Sequence, residues 1–403
     1  MNILYVSSTC SREKYTQYVE SKGARISQQA QKYNLLLAEG MVANGAKVRL
    51  ISTRPISRHY EKRLWMKGER ETAGGIDFCY VPFMNLPALR NICILLGVFW
   101  KVLFSRNSRR DTAVVCDALN IAASMGAQAA AAIRRYKTVG IVTDVPGHFS
   151  YAQKVTRTQK TNLKVMRKFH SYLLLTEPMS EIVNPKNRPY IVLEGHADQS
   201  MAAVENTLNG KNKNPIVLYA GSLMKIYGIE NLVEGFIAAN IPDAQLHIYG
   251  NGDYTEQLKK LTADNKSVQY LGIAPNNEIV KAELAATLLV NPRPTNEDYT
   301  KYSFPSKNME YMASGTPVLT TKLPGMPEEY YPYVYLLEDE SAEGMAKALK
   351  AILSQSPEEL AQKGAEAKKF VMEKKNNISQ AEKLLDMLED RLLGKKQITR
   401  RSK

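Results

Sequence analysis

Short β-rich runs alternate with helical runs along almost the whole chain, and this alternation limits the fold more than any other feature. In the first half the strand candidates are NILYV (2–6), KVRLI (47–51), AVVC (113–116), VGIV (139–142), YLLL (172–175) and YIVL (190–193). In the second half they are IVLY (216–219), LHIY (246–249), VQYL (268–271), TLLV (287–290), PVLT (317–320) and VYLL (334–337). Strands separated by helices form parallel sheets covered on both faces. The sequence therefore predicts an α/β protein with two doubly wound, Rossmann-like domains whose strand ends face a cleft.

The chain length supports the division into two domains, since 403 residues exceed a single ordinary core. Polar and small residues interrupt the strand pattern between Glu194 and Pro215. We therefore predict an N-terminal domain over residues 1–200 and a C-terminal domain over 201–375. A terminal helix with a basic tail, 376–403, is expected to pack against either domain.

The net charge of +14 is concentrated in the first half of the chain. Residues 1–200 hold 29 Lys and Arg against 14 Asp and Glu, which leaves +15 there and −1 in the remainder. The segment NICILLGVFWKVLF, 91–104, is apolar nearly all round, is followed by arginines and is too short to span a bilayer. It suits either the interface of an anionic membrane, through residues 90–110, or a buried core helix. RNA-binding signatures are missing, so we expect no nucleic-acid partner.

Cysteine and histidine spacing gives no sign of a metal or a disulfide framework. Cys10, Cys79, Cys93 and Cys116 form no CxxC pair, and the five histidines are scattered. The opening residues MNILYVSS have a strand pattern without the regions of a secretory signal. We expect reduced thiols, no metal, and a cytoplasmic protein that could lie peripherally on the inner face of the cell membrane.

The stretch YSFPSKNMEYMASG, 302–315, has the composition of a helix start suited to phosphate. Pro305 fits a first turn and Gly315 a left-handed end, which predicts a helix from about Pro305 to Ser314. The N–H groups of Ser306 and Lys307 and the helix dipole suit a phosphate. Glu310 shares a face with Ser306 and could bind the diol of a ribose. The alternative is a packing helix capped by a serine, with Glu310 solvated.

Two glycine-containing loops follow strands of the second domain. Gly221 and Ser222 come just past the first strand, with Lys225 before the next helix, and a diphosphate could bind there. Gly250 and Gly252 follow the second strand and leave room for a ligand such as a nucleobase. Taken singly, such glycines are more often ordinary turns.

A long irregular loop then separates the strand TLLV from the predicted helix. It carries Arg293, Glu297, Asp298 and Tyr302 toward the expected cleft, and long loops in compact domains are often functional. Together with the two glycine-containing loops, this loop favours a nucleotide diphosphate site at one edge of the second sheet.

The order AGS…K…G, IYGNGD and FPSKNMEYMASGTPVLTT resembles the C-terminal domain of retaining glycosyltransferases of family 4, of bacterial surface-polysaccharide type, and VLEGHAD (192–198) resembles the interdomain strand of that family. The resemblance implies the GT-B fold, with acceptor binding in the first domain and nucleotide-sugar binding in the second. Glu310 matches the second glutamate of the E-x7-E motif, but Tyr302 replaces the first. The phosphate-binding Arg and Lys of the family fall near Ser222 and Tyr227, so Lys225 is expected to supply the cation, with Arg293 or Lys307 as further candidates. The predicted donor contacts are Gly221, Ser222, Lys225, Gly250, Gly252, Arg293, Tyr302, Ser303, Phe304, Pro305, Ser306, Lys307 and Glu310.

The first domain contributes the motif VTDVPGHFS, which follows the strand VGIV. Asp144 could orient or deprotonate an acceptor hydroxyl, and His148 could hydrogen-bond the donor sugar or its phosphate. The alternatives are a turn-forming aspartate and a polar loop histidine. The predicted catalytic residues are Asp144, His148, Lys225 and Glu310.

These residues predict a retaining glycosyltransferase that moves a sugar from a nucleotide diphosphate, with UDP favoured, to a hydroxyl without a further cofactor. The expected acceptor is a saccharide or lipid-linked sugar in bacterial capsule, O-antigen or exopolysaccharide synthesis. Two alternatives stay open. One is a UDP-sugar 2-epimerase-like isomerase that uses the same nucleotide site. The other is a non-catalytic nucleotide- or membrane-binding protein, suggested by the missing carboxylate at Tyr302.

Overall fold

The computed structural model describes residues 1–22, 28–56, 58–147, 156–392 and 394, and its chain divides into two compact units. Unit 1 comprises Met1–His196 and Asn377–Lys403, and unit 2 comprises Ala197–Asn376. The chain therefore enters unit 2 once and returns to unit 1 for its last helix.

Unit 1 contains an eight-stranded sheet in the order β10-β9-β8-β7-β1-β2-β5-β4. All its neighbouring strands are parallel except β4 and β5. Its elements are β1 (Asn2–Ser7), α1 (Arg12–Lys22), α2 (Gln28–Ala43), β2 (Lys47–Ser52), β3 (Trp65–Met66), β4 (Glu69–Ala73), β5 (Ile76–Tyr80), β6 (Phe83–Met84), α3 (Pro87–Leu103), β7 (Thr112–Asp117), α4 (Ile121–Arg134), β8 (Lys137–Val142), α5 (Arg157–Met166), β9 (Ser171–Leu174), α6 (Met179–Val183) and β10 (Tyr190–Val192).

Unit 2 contains a six-stranded, wholly parallel sheet in the order β13-β12-β11-β14-β15-β16. Its elements are β11 (Ile216–Ser222), α7 (Ile229–Ala239), β12 (Gln245–Asn251), α8 (Thr255–Asp264), β13 (Val268–Gly272), α9 (Asn276–Ala285), β14 (Leu288–Asn291), α10 (Ser306–Ser314), β15 (Val318–Thr321), β16 (Tyr335–Leu337), α11 (Ala342–Leu353) and α12 (Pro357–Lys374). Short 3₁₀ turns occupy Gln199–Ala203, Leu208–Gly210, Lys225–Tyr227, Asp298–Tyr302 and Glu328–Tyr333.

The central strand of unit 2 shows why its sequence is a continuous apolar run. Val217 and Tyr219 of β11 join one buried cluster with residues of α7 and α11. Ile216, Leu218 and Ala220 join a second cluster with residues of α10 and α12. Alternate side chains of a strand point to opposite faces, so both faces of this sheet are covered by helices. The predicted fold of two doubly wound α/β domains is confirmed.

Four strands of unit 1, β3, β4, β5 and β6, have no counterpart among the predicted strands. β4 has the sequence ERETA, and it pairs antiparallel with β5 at the edge of the sheet. Its charged side chains are typical of an edge strand, where they oppose pairing with another chain, and they hide the usual hydrophobic alternation. β3 and β6 pair antiparallel as a separate two-residue ladder.

The helix α13 (Asn377–Met387), which continues as a π-helical turn over Leu388–Leu392, packs against α2. The Asn44 side chain donates to the Ile378 carbonyl at 2.8 Å, and the Asn377 side chain donates to the Leu36 carbonyl at 3.1 Å. A Cβ at Gly40 would lie 2.0 Å from the Asn377 carbonyl oxygen, so only glycine permits this approach. The basic residues 395–403 lie outside the described residues.

The apolar segment 91–104 forms most of α3 and ends at its C-cap, Phe104, and the two faces of this helix differ. Ile94, Val98 and Val102 are buried, whereas Ile92, Leu96 and Trp100 are exposed. The expectation of a buried core helix explains the buried face of α3 but not its exposed face. Over the described part of the chain, none of the helices combines the length and the hydropathy that crossing a bilayer requires.

Candidate functional site

The helix α10 is fixed to the sheet of unit 2 by two fully buried polar side chains. Asn308 accepts a hydrogen bond from Asn291 Nδ2 of β14 at 2.7 Å and donates to Thr320 Oγ1 of β15 at 3.1 Å. The Tyr311 hydroxyl accepts from the Ala220 N–H of β11 at 2.8 Å and donates to the Ala220 carbonyl at 3.2 Å. These bonds fix the helix near the carboxyl ends of β11, β14 and β15.

The ends of α10 are set by residues with restricted or unusual backbone angles. Pro305 is the N-cap, with φ −73° and ψ 105°, and Gly315 ends the helix with φ +79°. The predicted helix is thus confirmed, and it begins at Ser306. Because proline has no side-chain acceptor, its side chain does not cap the positive end of the helix dipole.

The carboxylate predicted to bind ribose forms an ion pair within α10. Lys307 Nζ lies 2.7 Å from Glu310 Oε2, and both side chains are about one-quarter exposed. Burial lowers the pKa of Lys307, but the carboxylates of Glu310 and Glu283 outweigh burial and raise that pKa. Lys307 therefore stays charged. An ionised carboxylate accepts up to about four hydrogen bonds, so the Lys307 bond is compatible with a diol on Glu310.

Arg293, in the loop after β14, lies between aromatic rings. Its guanidinium carbon is 4.4 Å from the Tyr227 ring centroid and 5.9 Å from that of Tyr299. Its Nη1 donates to Ser303 Oγ at 3.1 Å, which ties this loop to the segment that enters α10. Burial raises the pKa of the Tyr219 hydroxyl, and the positive charge of Arg293 opposes this rise.

The Arg293 guanidinium has no carboxylate partner within the described residues, and its Nε is buried without a hydrogen bond to any of them. It is also the single arginine between residues 197 and 376 of the sequence. A buried cation without an anion is unfavourable, whereas guanidinium forms strong paired bonds to phosphate. The arrangement therefore suits an anionic ligand.

The loop after β11 lies against the loop after β14. Gly221 and Ser222 are the last two residues of β11 rather than residues past its end, and the Tyr219 hydroxyl donates to the Ser222 carbonyl at 2.8 Å. Gly228 has φ +76°, and a Cβ there would lie 2.1 Å from the Pro292 carbonyl oxygen. The Lys225 backbone N–H donates to Asp253 at 2.8 Å, and its side chain is exposed.

Gly250 and Gly252 are required by backbone packing. Gly250 is still within β12, has φ +137°, and a Cβ there would lie 1.8 Å from the Gly221 carbonyl oxygen. A Cβ at Gly252 would lie 2.2 Å from the carbonyl carbon and oxygen of Leu223. The space at these glycines is therefore filled by the neighbouring backbone, and their contact with a nucleobase stays a prediction.

We expect Gly252→Ala to destabilise unit 2 by about 2 kcal/mol or more, because the rigid Leu223 backbone cannot move aside for a methyl group. Urea unfolding monitored by circular dichroism measures this change. Gly210→Ala is the matched control, since the nearest atom to its Cβ, Thr207 Oγ1, is at an ordinary 3.4 Å. Equal unfolding midpoints for the two variants would refute the packing role of Gly252.

Of the residues just before α10, some are buried in the core of unit 2 and others lie beside Arg293 or at the start of the helix. Phe304 is 4% exposed and its ring packs 5.3 Å from the Tyr330 ring, so the structure places it in the core. Tyr302, at the position of the missing glutamate, is also buried and ends a 3₁₀ turn. Ser303 contacts Arg293, and Pro305 caps α10.

In unit 1, Asp144 lies two residues past β8 and is half-buried, and His148 lies outside the described residues. Asp117, the last residue of the adjacent strand β7, was not among the predicted residues. Burial raises the pKa of Asp117 to about 6, opposed by a hydrogen bond from the Leu119 N–H. Its signal in the sequence is a carboxylate that directly follows the apolar run AVVC (113–116).

In unit 2 the candidate residues lie where the strand order reverses. Successive strands are added to one side of β11 as far as β13, and the chain then crosses to β14 on the other side. In doubly wound sheets, ligands bind at the carboxyl ends of the strands at this reversal. Two loops meet at this reversal. The loop after β11 carries Tyr227, and the loop after β14 carries Arg293 and leads into the first turn of α10. Unit 2 is thus a Rossmann-like domain with a cationic site in the usual ligand position.

Comparison with known families gives the class of this domain. Residues 202–370 match the family described as Glycosyl transferases group 1. This stretch includes every candidate site residue of unit 2, and no curated protein sequence matches the chain.

Solved structures extend the comparison to both units. Sucrose-phosphate synthase from Thermosynechococcus elongatus is 16% identical with a TM-score of 0.67, over 97% of this chain and 99% of that one. A glycosyltransferase from Rickettsia africae is 16% identical with a TM-score of 0.67, over 98% and 99%. HepE from Anabaena, in complex with UDP, is 14% identical with a TM-score of 0.63, over 97% and 100%. The fold is GT-B, and the prediction of a glycosyltransferase enzyme is confirmed.

Proposed function

We propose that this protein transfers a sugar from a nucleoside diphosphate donor, with UDP favoured, to a hydroxyl of a saccharide or lipid-linked acceptor. The observation that supports this most strongly is Arg293, a largely buried cation stacked on Tyr227 with no carboxylate within the described residues. A diphosphate supplies the missing negative charge. HepE, which shares the fold, was crystallised with UDP and with UDP-glucose.

Arg293 is proposed to replace the phosphate-binding cations that the family has in the loop between β11 and α7. The resemblance to family 4 places Ser222 and Tyr227 where the family has phosphate-binding Arg and Lys residues. Here the Arg293 guanidinium lies on the face of the Tyr227 ring. The positive charge is thus supplied from the loop after β14, and we assign phosphate binding to Arg293 rather than to the exposed Lys225.

Glu310 is proposed to bind the ribose. It lies one turn beyond the start of α10, so a diphosphate at Ser306 and a ribose at Glu310 would contact the same helix face. Lys307 lies 2.7 Å from this carboxylate, and a charged acceptor binds a diol more strongly than a neutral one.

Catalysis then depends on charge that builds up on the leaving diphosphate. Arg293 and the positive end of α10 stabilise this charge more in the transition state than in the ground state. Retention of configuration, which the resemblance implies, requires the acceptor hydroxyl to attack the face that the leaving group vacates. Its proton passes to the departing phosphate or to Asp144, and His148 is proposed to contact the donor.

The acceptor is proposed to belong to bacterial capsule, O-antigen or exopolysaccharide synthesis in the cytoplasm. Unit 1, with its excess of basic residues, is the proposed acceptor-binding part. An isomerase that uses the same nucleotide site would convert one nucleotide sugar into another without any acceptor, so no release of nucleoside diphosphate would depend on an acceptor. A non-catalytic protein would bind nucleotide without turnover.

A panel of nucleotide sugars tests the proposal. Ligands that bind the native state raise the melting temperature, so a thermal shift with one nucleotide series identifies the base. Nucleoside diphosphate release is then measured with that donor, with and without a panel of saccharide and lipid-linked acceptors. We expect release that requires an acceptor. Acceptor-independent release, or binding of no nucleotide sugar, would overturn the proposal.

A further inference from the structure

One face of α3, together with the residue directly after it, carries large apolar side chains that the described residues leave exposed. Leu89, Ile92, Leu96, Trp100 and Phe104 recur every three or four residues and are between 41% and 71% exposed. Such spacing places them on one side of the helix. The rings of Trp100 and Phe104 are stacked at 5.3 Å between centroids and 6° between planes, so the C-terminal end of this row presents a broad aromatic surface.

The helix that packs beside α3 is also apolar on its exposed side. A Cβ at Gly126 of α4 would lie 2.2 Å from the Leu95 carbonyl oxygen, so the two backbones are in close contact. Met125 and Ile133 of α4 are 43% and 63% exposed. We call the exposed side chains of α3 and α4 the apolar surface of unit 1.

Positive charge borders this apolar surface at one end. The residues 81–110 include five basic residues and no Asp or Glu, and α4 contains no acidic residue. Arg106, Arg109 and Arg110 directly follow α3 and are exposed. Arg134 donates to the Asn107 carbonyl at 3.0 Å, so the C-terminal ends of α3 and α4 lie together beside these arginines.

We propose that the apolar surface of unit 1 docks on the interface of an anionic lipid bilayer. Aromatic and aliphatic side chains of a helix that lies in the interface plane enter the boundary between headgroups and acyl chains, and flanking arginines bind lipid phosphates. The charge distinguishes this occupant from a second copy of the chain, since two copies would bring their basic segments together. The proposal concerns unit 1 and goes beyond the transferase activity proposed for unit 2.

Vesicle binding by the full chain tests the proposal. The probes are vesicles of phosphatidylcholine alone and of phosphatidylcholine with about 30% phosphatidylglycerol. We expect binding to the second vesicle only, with roughly a tenfold or greater loss in Trp100→Ser combined with Phe104→Ser. Replacing Arg106, Arg109 and Arg110 by Gln should reduce binding about 100-fold at low salt. Ile273→Ser, at a 75% exposed residue of unit 2, is the matched control and should bind like the parent protein.

Tryptophan fluorescence gives a second readout because the sequence has two tryptophans. In a Trp65→Phe background Trp100 is the single reporter, and its emission should shift to shorter wavelength when anionic vesicles are added. Equal binding to both vesicles, unchanged binding by the Trp100 and Phe104 variant, or no binding by the parent protein would overturn the proposal. A dimer in solution that this variant abolishes would assign the surface to a second copy instead. Nucleotide-induced thermal shifts are expected to be the same in all these variants, so failure here is distinct from failure of the proposed function.

Discussion

Arg293→Met is expected to reduce sugar transfer about 100- to 1,000-fold, the usual effect of removing one preorganised group that stabilises transition-state charge. The methionine keeps much of the apolar contact with Tyr227 and Tyr299 but removes the positive charge. The affinity for UDP should fall as well, because the diphosphate loses its paired donor. Isothermal titration with UDP and a transfer assay measure the two effects.

The stability of Arg293→Met separates a ligand-binding role from a structural one. A structural ion pair would be lost on substitution and would lower the melting temperature, but Arg293 has no such pair within the described chain. We expect the melting temperature without nucleotide to be unchanged or higher. Lys225→Met is the comparison variant and Lys347→Met the control, since both side chains are exposed. A larger loss of UDP affinity in Lys225→Met than in Arg293→Met would contradict the assignment.

Glu310→Gln is expected to weaken UDP binding about 10- to 100-fold, because hydrogen bonds to a charged group contribute about 1.5–3 kcal/mol. The sharper test compares UDP with 2′-deoxy-UDP. The parent protein should prefer UDP, and Glu310→Gln should lose most of this preference, since the carboxylate contacts the missing hydroxyl directly.

Two controls accompany this prediction. Lys307→Met removes the ion pair with Glu310 but retains the carboxylate, so it should keep the preference for UDP over the deoxy analogue. Glu343→Gln changes an exposed glutamate of α11 and should behave as the parent protein does. A full preference for UDP in Glu310→Gln would exclude ribose binding by this residue.

Features that depend on local backbone chemistry could be predicted from the sequence. Pro305 fixes its own φ and Gly315 tolerates a left-handed φ, so they marked the ends of α10 without knowledge of the fold. The apolar runs of the unit 2 sheet were equally clear because both faces of that sheet are buried, whereas the buried strand β5 of unit 1 was missed. The polar edge strand β4 was missed, since its stability comes from backbone pairing with β5 rather than from buried side chains.

Features that depend on packing between distant segments could not be predicted in the same way. Arg293 and Tyr227 are far apart in sequence, and their contact arises only when the loops after β11 and β14 meet. The residues next to Gly252 in the sequence are typical of a ligand-binding loop. In the structure, however, the Leu223 backbone occupies the space beside Gly252. Likewise, an apolar helix such as α3 does not reveal which of its faces is covered.

A crystal structure of the full chain with UDP tests the phosphate-binding role of Arg293. We predict a diphosphate oxygen about 2.7–2.9 Å from the Arg293 guanidinium, the usual length of a charge-assisted bond, with the phosphates at the first turn of α10. The ribose hydroxyls should contact Glu310. Density for the diphosphate at another site, with the Arg293 guanidinium still donating to Ser303, would contradict this assignment.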